Sequence, residues 1–333
     1  MNELRRDPLL GRWVVVYKQS HSPEDYVSPK EVPLKGSCLL CAQSETATEV
    51  LSYKDEQGKP LVRVIRTEGS IFSYDIQLER RGVGMYDMMN SFGVSEVVLE
   101  TPEHGVAPED LGAEQMERVI DAYYRRTLEL EKDERIRYVM IHKNCGALSG
   151  DLCGHSHSFI TATPIIPKRI KEELDGAKGY FGYKERCIFC DIMREEKRFN
   201  RRIVKETEHF FAFCPFATRF PFEIWIMPKR HSCFFKEITD EERSDLAVIM
   251  TDVIGRLRKV LKNPPYNFVF HSAPSKIPKR AKWHTLGEDF HWHIEIMPRV
   301  RRLTGFELGS GMYTLTTSPE DAAKFLKEVS YED

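Results

Sequence analysis

Cys38-Leu39-Leu40-Cys41 followed by His155-Ser156-His157, and Cys187-Ile188-Phe189-Cys190 followed by His291-Trp292-His293, are one pattern written twice in the same order. A single C-x-x-C is common. The same succession of potential ligands in both halves of a chain is the mark of an internal duplication. Each copy runs from C-x-x-C through strands and a long helix to a His-x-His in an apolar strand. The boundary is expected near residues 168–184, where KRIKEELDGAKGYFGYK is polar and contains glycine. This gives two domains, 1–170 and 171–333.

Working outward, short β-branched or aromatic runs predict strands at Trp13–Tyr17, Val62–Ile65, Val97–Glu100, Tyr138–His142 and Phe159–Ile166. The second half offers Phe222–Met227, Phe268–His271, His293–Met297 and Met312–Thr316. Apolar residues at helical spacing predict helices over 113–132 (Met116, Ile120, Tyr123, Thr127, Leu130) and 240–262 (Leu246, Ile249, Val253, Leu257, Val260). Thr239 and Glu242 form a capping-box pattern, and Ser318-Pro319 opens a last helix. Few clean βαβ alternations and long connections give an α+β fold with antiparallel sheets and helices packed across them.

With 41% hydrophobic and 30% charged residues in 333, the chain is globular rather than disordered. Basic (49) and acidic (51) residues nearly balance, which excludes a dedicated nucleic-acid binder but not a small phosphate pocket. The N-terminal MNELRRDPLLGR lacks the apolar core of a signal peptide, and no run of eighteen apolar residues points to a membrane. The expected compartment is the cytoplasm. There the eight cysteines read as metal ligands or buried thiols rather than as a disulfide set.

Two thiolates on one tight turn can reach the same tetrahedral ion, and two histidines from distant chain close the site; zinc suits this donor set. In the first half the further ligands are His104 (in ETPEHG) and His155. In the second half they are His231 and His291, with His271 and His293 as competitors, and the ion is zinc or iron. The remaining cysteines, Cys145, Cys153, Cys214 and Cys233, have no such spacing.

Residues i and i+2 of a strand share a face, so His155 and His157 present adjacent imidazoles. Asn144-Cys145-Gly146, Ser149-Gly150 and Gly154 form a small-residue loop upstream, which lets backbone N–H groups approach a phosphate. A neutral histidine beside such donors can attack phosphorus. Plain metal or packing roles for both histidines are the alternative.

The segment Asn144-x-Gly146 … Gly154-His155-Ser156-His157-Ser158 resembles galactose-1-phosphate uridylyltransferase and its relatives in the histidine-triad superfamily of nucleotidyl transferases and phosphorylases. So do RRDPLLGRWVVV, CLLCAQSE, EVVLETPEH, ERCIFCDI, FEIWIMPKRH, FHWHIEIMPR and GFELGSGMY, in family order along nearly the whole chain. The resemblance implies two histidine-triad-like half-domains and a role in carbohydrate, especially galactose, metabolism. It implies His157 as nucleophile on the α-phosphorus of a nucleoside diphospho-sugar. A uridylyl- or adenylyl-histidine would form, and a sugar 1-phosphate or phosphate would then take the nucleotide. His155 would ligate a structural zinc with Cys38, Cys41 and His104. Asn144, Gly146, Ser149, Ser156 and the position of Phe159 would face substrate, with Arg12, Arg6 and Lys143 as candidate phosphate contacts. Pairing of the halves within one chain and a homodimer are both compatible with such a parent.

Two positions depart from the family. Where it places a Gln two residues after the nucleophile, this chain has Phe159, which donates nothing; loss of such a donor typically costs on the order of 10²–10³ in rate. Where the family tends to carry an Asn after the strand at Val62–Ile65, the chain reads Arg66-Thr67-Glu68. Three activities are compatible with this pattern: nucleotidyl transfer, phosphorolysis or hydrolysis by the same histidine, and non-catalytic binding of nucleotides or sugar phosphates.

Overall fold

A computed structural model describes residues 1–26, 38, 40–41, 47–66, 71–151, 153–277 and 282–329. The strands are β1 Glu3–Arg6, β2 Trp13–Val16, β3 Thr48–Lys54, β4 Pro60–Arg66, β5 Arg81–Val83, β6 Tyr86–Met88, β7 Val94–Leu99, β8 Tyr138–Cys145 and β9 His157–Thr163. The second half adds β10 Ile203–Glu206, β11 Phe210–Phe213, β12 Ile224–Pro228, β13 Tyr266–His271, β14 His293–Pro298 and β15 Tyr313–Leu315. The helices are α1 Gly112–Leu130, α2 Lys168–Lys184, α3 Ile188–Phe199, α4 Asp240–Leu261, α5 Leu286–Asp289, α6 Gly305–Ser310 and α7 Pro319–Glu328.

One ten-stranded sheet runs β10-β11-β12-β14-β13-β8-β9-β7-β4-β3, antiparallel at every pair. Read inward from either edge, each half has the same order, with its fourth strand in sequence innermost. The halves therefore meet through like strands, β8 and β13, where Asn144 pairs with Asn267. The duplicated order in the sequence becomes a duplicated order in the sheet.

Period-two alternation assigns the two faces. Ile160 and Ala162 of β9 and Ile294 and Ile296 of β14 point to one face. There they share a single core with Val119, Ile120 and Tyr123 of α1 and Leu246, Ile249 and Val253 of α4. The opposite face carries His157 and Phe159 on one half, and His293 and Glu295 on the other. Over the second half this face is covered by α2 and α3, whose Ile170, Leu174, Ala177, Ile188 and Phe189 pack on Phe211, Phe213, Trp225 and Met227.

The segment 168–184, where the boundary between the halves is expected, forms the helix α2. Ile170, Leu174 and Ala177 recur at helical spacing and bury one face together with Glu173. One of its glycines serves packing. A Cβ on Gly176 would lie 2.1 Å from the carbonyl oxygen of Leu9, so only glycine lets the N-terminal arm cross α2 at this point. That arm (β1 and β2) pairs through β2 with β15 in a small separate sheet.

The expected capping box at α4 forms: the Glu242 N–H donates to Thr239 Oγ1 at 3.2 Å and Thr239 N–H to Glu242 Oε2 at 3.0 Å. Ser318 caps α7 through the Asp321 N–H at 3.1 Å. No helix among the described residues is long and apolar enough to cross a membrane.

Candidate active site and metal centres

The two C-x-x-C turns each meet two histidines. Ligand atoms of Cys38, Cys41, His104 and His155 all lie within 4.8 Å of one another, and so do those of Cys187, Cys190, His231 and His291. Cys41 Sγ is 3.8 Å from His104 Nδ1 and 3.4 Å from His155 Nδ1; Cys190 Sγ is 3.3 Å from His231 Nδ1 and 3.5 Å from His291 Nδ1. Zinc bonds of about 2.3 Å to sulfur and about 2.0 Å to nitrogen, at tetrahedral angles, put sulfur and nitrogen about 3.5 Å apart. Both donor sets match that spacing.

The rings are also oriented as ligands. His155 Nε2–H donates to Thr101 O at 2.8 Å, His291 Nε2–H to Pro228 O at 2.9 Å and His231 Nε2–H to Gly287 O at 3.0 Å. Each leaves Nδ1 as the lone pair facing sulfur, the outer-shell arrangement that fixes the tautomer of a metal-binding histidine. The hydrogen bond from the Cys187 thiol holds the Cys190 thiol far below its ordinary range.

Geometry resolves the competition among the second-half histidines. His271 and His293 do not join the cysteines; they lie in a separate buried cluster with Glu173 and Glu295, whose ligand atoms also fall within 4.8 Å of one another. His271 Nδ1 is 2.8 Å from Glu173 Oε2, Arg169 reaches Glu173 at 3.2 Å and Glu295 at 3.3 Å, and Arg219 also pairs with Glu295. Each carboxylate thus has a cation against it. Burial pushes His271 down, but Glu173 and Glu295 outweigh it and raise it. His293 is pushed down to about 4 by burial and by His271. Glu173 and Glu295 had no signal in the sequence, being one glutamate on a helix and one in a strand brought together only by the cover of α2.

His157, the expected nucleophile, has a defined tautomer. Its Nδ1–H donates to the carbonyl of His155 at 2.6 Å, so Nε2 keeps its lone pair. Burial lowers its pKa, which keeps the ring neutral at neutral pH. It lines a cleft together with Asn144, Gly146, Asp151, Gly154 and Tyr266. Asn144 accepts from Asn267 Nδ2 at 2.8 Å, and its own amide nitrogen makes no hydrogen bond among the described residues. Gly146 has φ +81 and ψ 152, a conformation reserved for glycine, and turns the chain out of β8. The Ser149 hydroxyl closes this turn, its one hydrogen shared between Cys145 O at 2.7 Å and Gly146 O at 2.6 Å.

Lys143, expected at phosphate, borders the His157 cleft but is buried, at 1% exposure. Its ammonium donates to Glu100 Oε2 at 2.5 Å, His157 O at 2.9 Å and Ser156 Oγ at 3.3 Å. The Ser156 hydroxyl, from a residue that also lines the cleft, donates to the same Glu100 oxygen at 2.6 Å. Tyr123 completes the set, 2.6 Å from Ser158 Oγ. The reason is period two: Lys143, Ser156 and Ser158 point opposite to Asn144 and His157. Glu100 was missed, although a carboxylate ending the apolar run Val97–Leu99 is a signal that a cation must meet it.

Arg12 and Arg6 do not line the His157 cleft. Arg12 pairs with Asp7 at 2.7 Å and sits over the Tyr313 ring, held by the N-terminal arm against the second half. Arg6 donates to Gly11 O at 3.4 Å. Phe159 stands at the nucleophile, edge-on to His157 with centroids 4.9 Å apart, and stacks on His142 at 5.1 Å. Of the Arg66-Thr67-Glu68 departure, Thr67 and Glu68 lie outside the described residues; Arg66 pairs with Glu96 at 3.0 Å.

Residues 68–167 match the N-terminal domain of galactose-1-phosphate uridyl transferase and residues 173–332 its C-terminal domain. The chain belongs to the galactose-1-phosphate uridyl transferase family. Within this family it is 32% identical to an ADP-glucose phosphorylase of Arabidopsis thaliana over 98% of this chain and 93% of that one. It is 29% identical to a galactose-1-phosphate uridylyltransferase of Thermotoga maritima over the full length of both. The solved structure of the Arabidopsis thaliana ADP-glucose phosphorylase with bound ADP-glucose superposes with a TM-score of 0.83, at 31% identity and 99% coverage of each chain.

Proposed function

We propose that the chain is a nucleotidyltransferase of nucleotide sugars that works through a covalent nucleotidyl-histidine at His157. The observation that carries this is the His157 ring: Nδ1–H tied to the His155 carbonyl at 2.6 Å, Nε2 unprotonated, in a cleft beside the Gly146 turn and an Asn144 amide nitrogen that makes no hydrogen bond among the described residues. Nε2 attacks the α-phosphorus, the bond to the bridging oxygen breaks, and sugar 1-phosphate leaves. An oxygen of phosphate or of a second sugar 1-phosphate then attacks the same phosphorus, the P–N bond breaks and His157 is regenerated. Asn144 and the backbone N–H groups around Gly146 stabilise phosphoryl oxygens. The transferred group is UMP or AMP. The ADP-glucose phosphorylase relative, matched along 98% of this chain, supports AMP with phosphate as acceptor. The transferase relatives support UMP with a sugar 1-phosphate.

Cys38, Cys41, His104 and His155 would hold one zinc ion, and Cys187, Cys190, His231 and His291 a second ion, zinc or iron. With four protein ligands each, such ions are structural. The first set fixes the strand that carries His157. The half-domains span 1–170 and 171–333, the compartment is cytoplasmic, and a homodimer is compatible with the fold. Incubation with a panel of labelled UDP- and ADP-sugars tests the reading. Label should become acid-labile and covalent on the protein, and be released by phosphate or sugar 1-phosphate; a panel without any labelling overturns it.

A further inference from the structure

We propose that His142 is a further catalytic residue, donating an N–H from the neighbouring strand to the phosphoryl group in the place where Phe159 donates nothing. This rests on the nucleotidyl-histidine reading above. β8 and β9 pair so that His142 stands directly opposite Phe159. His142, Phe159 and His157 therefore share one face of the sheet, and His142 is the diagonal neighbour of the nucleophile, roughly 7–8 Å away between Cα atoms. The His142 and Phe159 rings lie nearly parallel, 18° apart at 5.1 Å, while His157 meets the other ring edge-on at 84°. A polar group absent from one strand is thus present on the strand beside it, on the same face.

The His142 ring is poorly explained by packing alone. It makes no hydrogen bond among the described residues, and its Nδ1 is buried without a partner. A hydrocarbon ring would fill the same space and leave no nitrogen unmatched. An unpaired buried N–H is rarer than an unpaired acceptor, so the proton belongs on Nε2. That nitrogen is not among the buried unpartnered atoms and the residue is partly exposed, so Nε2–H is the one donor the ring can offer outward. Burial and the nearness of His157 push His142 down to about 4, so it is an uncharged donor at neutral pH. No proton is transferred in this role; the N–H strengthens its hydrogen bond as charge grows on the phosphoryl oxygens.

Rapid-quench labelling of His157, with kcat, KM and thermal midpoint, tests the assignment in His142→Leu, His142→Gln, Phe159→Gln and the His142→Leu/Phe159→Gln double variant. Removing the donor in His142→Leu should slow labelling on the order of 10²–10³, with KM changed only a few-fold. His142→Gln, which keeps a donor, should stay within about tenfold of wild type. Phe159→Gln should restore a large part of the rate to His142→Leu. Labelling of His142→Leu at the wild-type rate overturns the assignment. So does an equal loss in His142→Leu and His142→Gln with no recovery in the double variant, since that describes a packing role. If wild type is not labelled by any nucleotide sugar, the nucleotidyl-transfer reading falls and this assignment with it.

Discussion

His157 and His293 occupy matching places in the two halves; His157 lines a cleft, whereas His293 is fully buried. Each is the second histidine of a His-x-His, each donates Nδ1–H to the carbonyl two residues back (2.6 and 3.1 Å), and each is kept neutral by burial. The difference is what lies on the shared face. His293 is stacked by Trp225 at 4.7 Å and contacted by Phe189 at 5.1 Å, under the cover of α2 and α3. Where the first half has Asn144, the second has His271, and where it has Phe159, the second has Glu295, a carboxylate that would repel a phosphate. A duplicated motif therefore makes a duplicated frame, and chemistry needs in addition an open face and donors beside the nucleophile.

The largest expected effect separates these two histidines. His157→Ala should lose at least about 10⁴ in turnover. His293→Gln should retain nucleotidyl transfer in whatever fraction folds, shown by active-site titration. Loss of transfer per folded molecule in His293→Gln would break the asymmetry.

Next come the metal centres. Cys41 is exposed in the first, whereas Cys187 is buried in the second. A chelator should therefore remove one equivalent of metal well before the other. Activity should fall with the first equivalent, because His155 anchors the nucleophile's strand, and the thermal midpoint should fall further with the second. Elemental analysis during chelation checks the order; simultaneous release would count against it.

The buried pair behind His157 comes third. Lys143 and Glu100 are each 1% exposed, so Lys143→Met should cost about 3–5 kcal/mol by leaving a carboxylate uncompensated. Lys143→Met/Glu100→Leu should recover much of that in denaturant melts, and failure to recover would mean the pair is not coupled.

A smaller effect concerns pH. His142 titrates at about 4 in the folded chain against about 6.5 unfolded. The unfolded state then binds the extra proton first, so stability falls as pH drops from about 6.5 to about 4. His142→Leu should make that decline shallower. Smallest is the helix start, where the halves again differ. Thr239 caps α4, whereas Leu111 offers α1 no side-chain cap, so Thr239→Ala should cost about 1 kcal/mol and Leu111→Ala almost nothing from capping.

The duplicated order, the strands bearing the histidines, the helices α1 and α4 and both Cys/His clusters were legible because each rests on local periodicity or ligand spacing. What escaped was decided by tertiary placement. The helical state of 168–184 escaped because Gly176 and its polar neighbours mask a narrow buried stripe whose partner is Leu9, far away in sequence. Lys143 read as a phosphate contact because a lysine next to Asn144 looks exposed until the strand alternation turns it inward to Glu100. Arg12 read as a phosphate contact because nothing local shows that the N-terminal arm docks on the other half. His142 carried no motif at all. Its interest arises only from the register that sets it opposite Phe159.

The central claim is that one histidine of the duplicated pair carries the nucleotide. Peptide mapping by mass spectrometry after brief incubation with labelled ADP- and UDP-sugars tests it directly. The account predicts a nucleotidyl adduct on the peptide bearing His157 and none on the peptide bearing His293. An adduct on His293, or one that persists in His157→Ala, would contradict it.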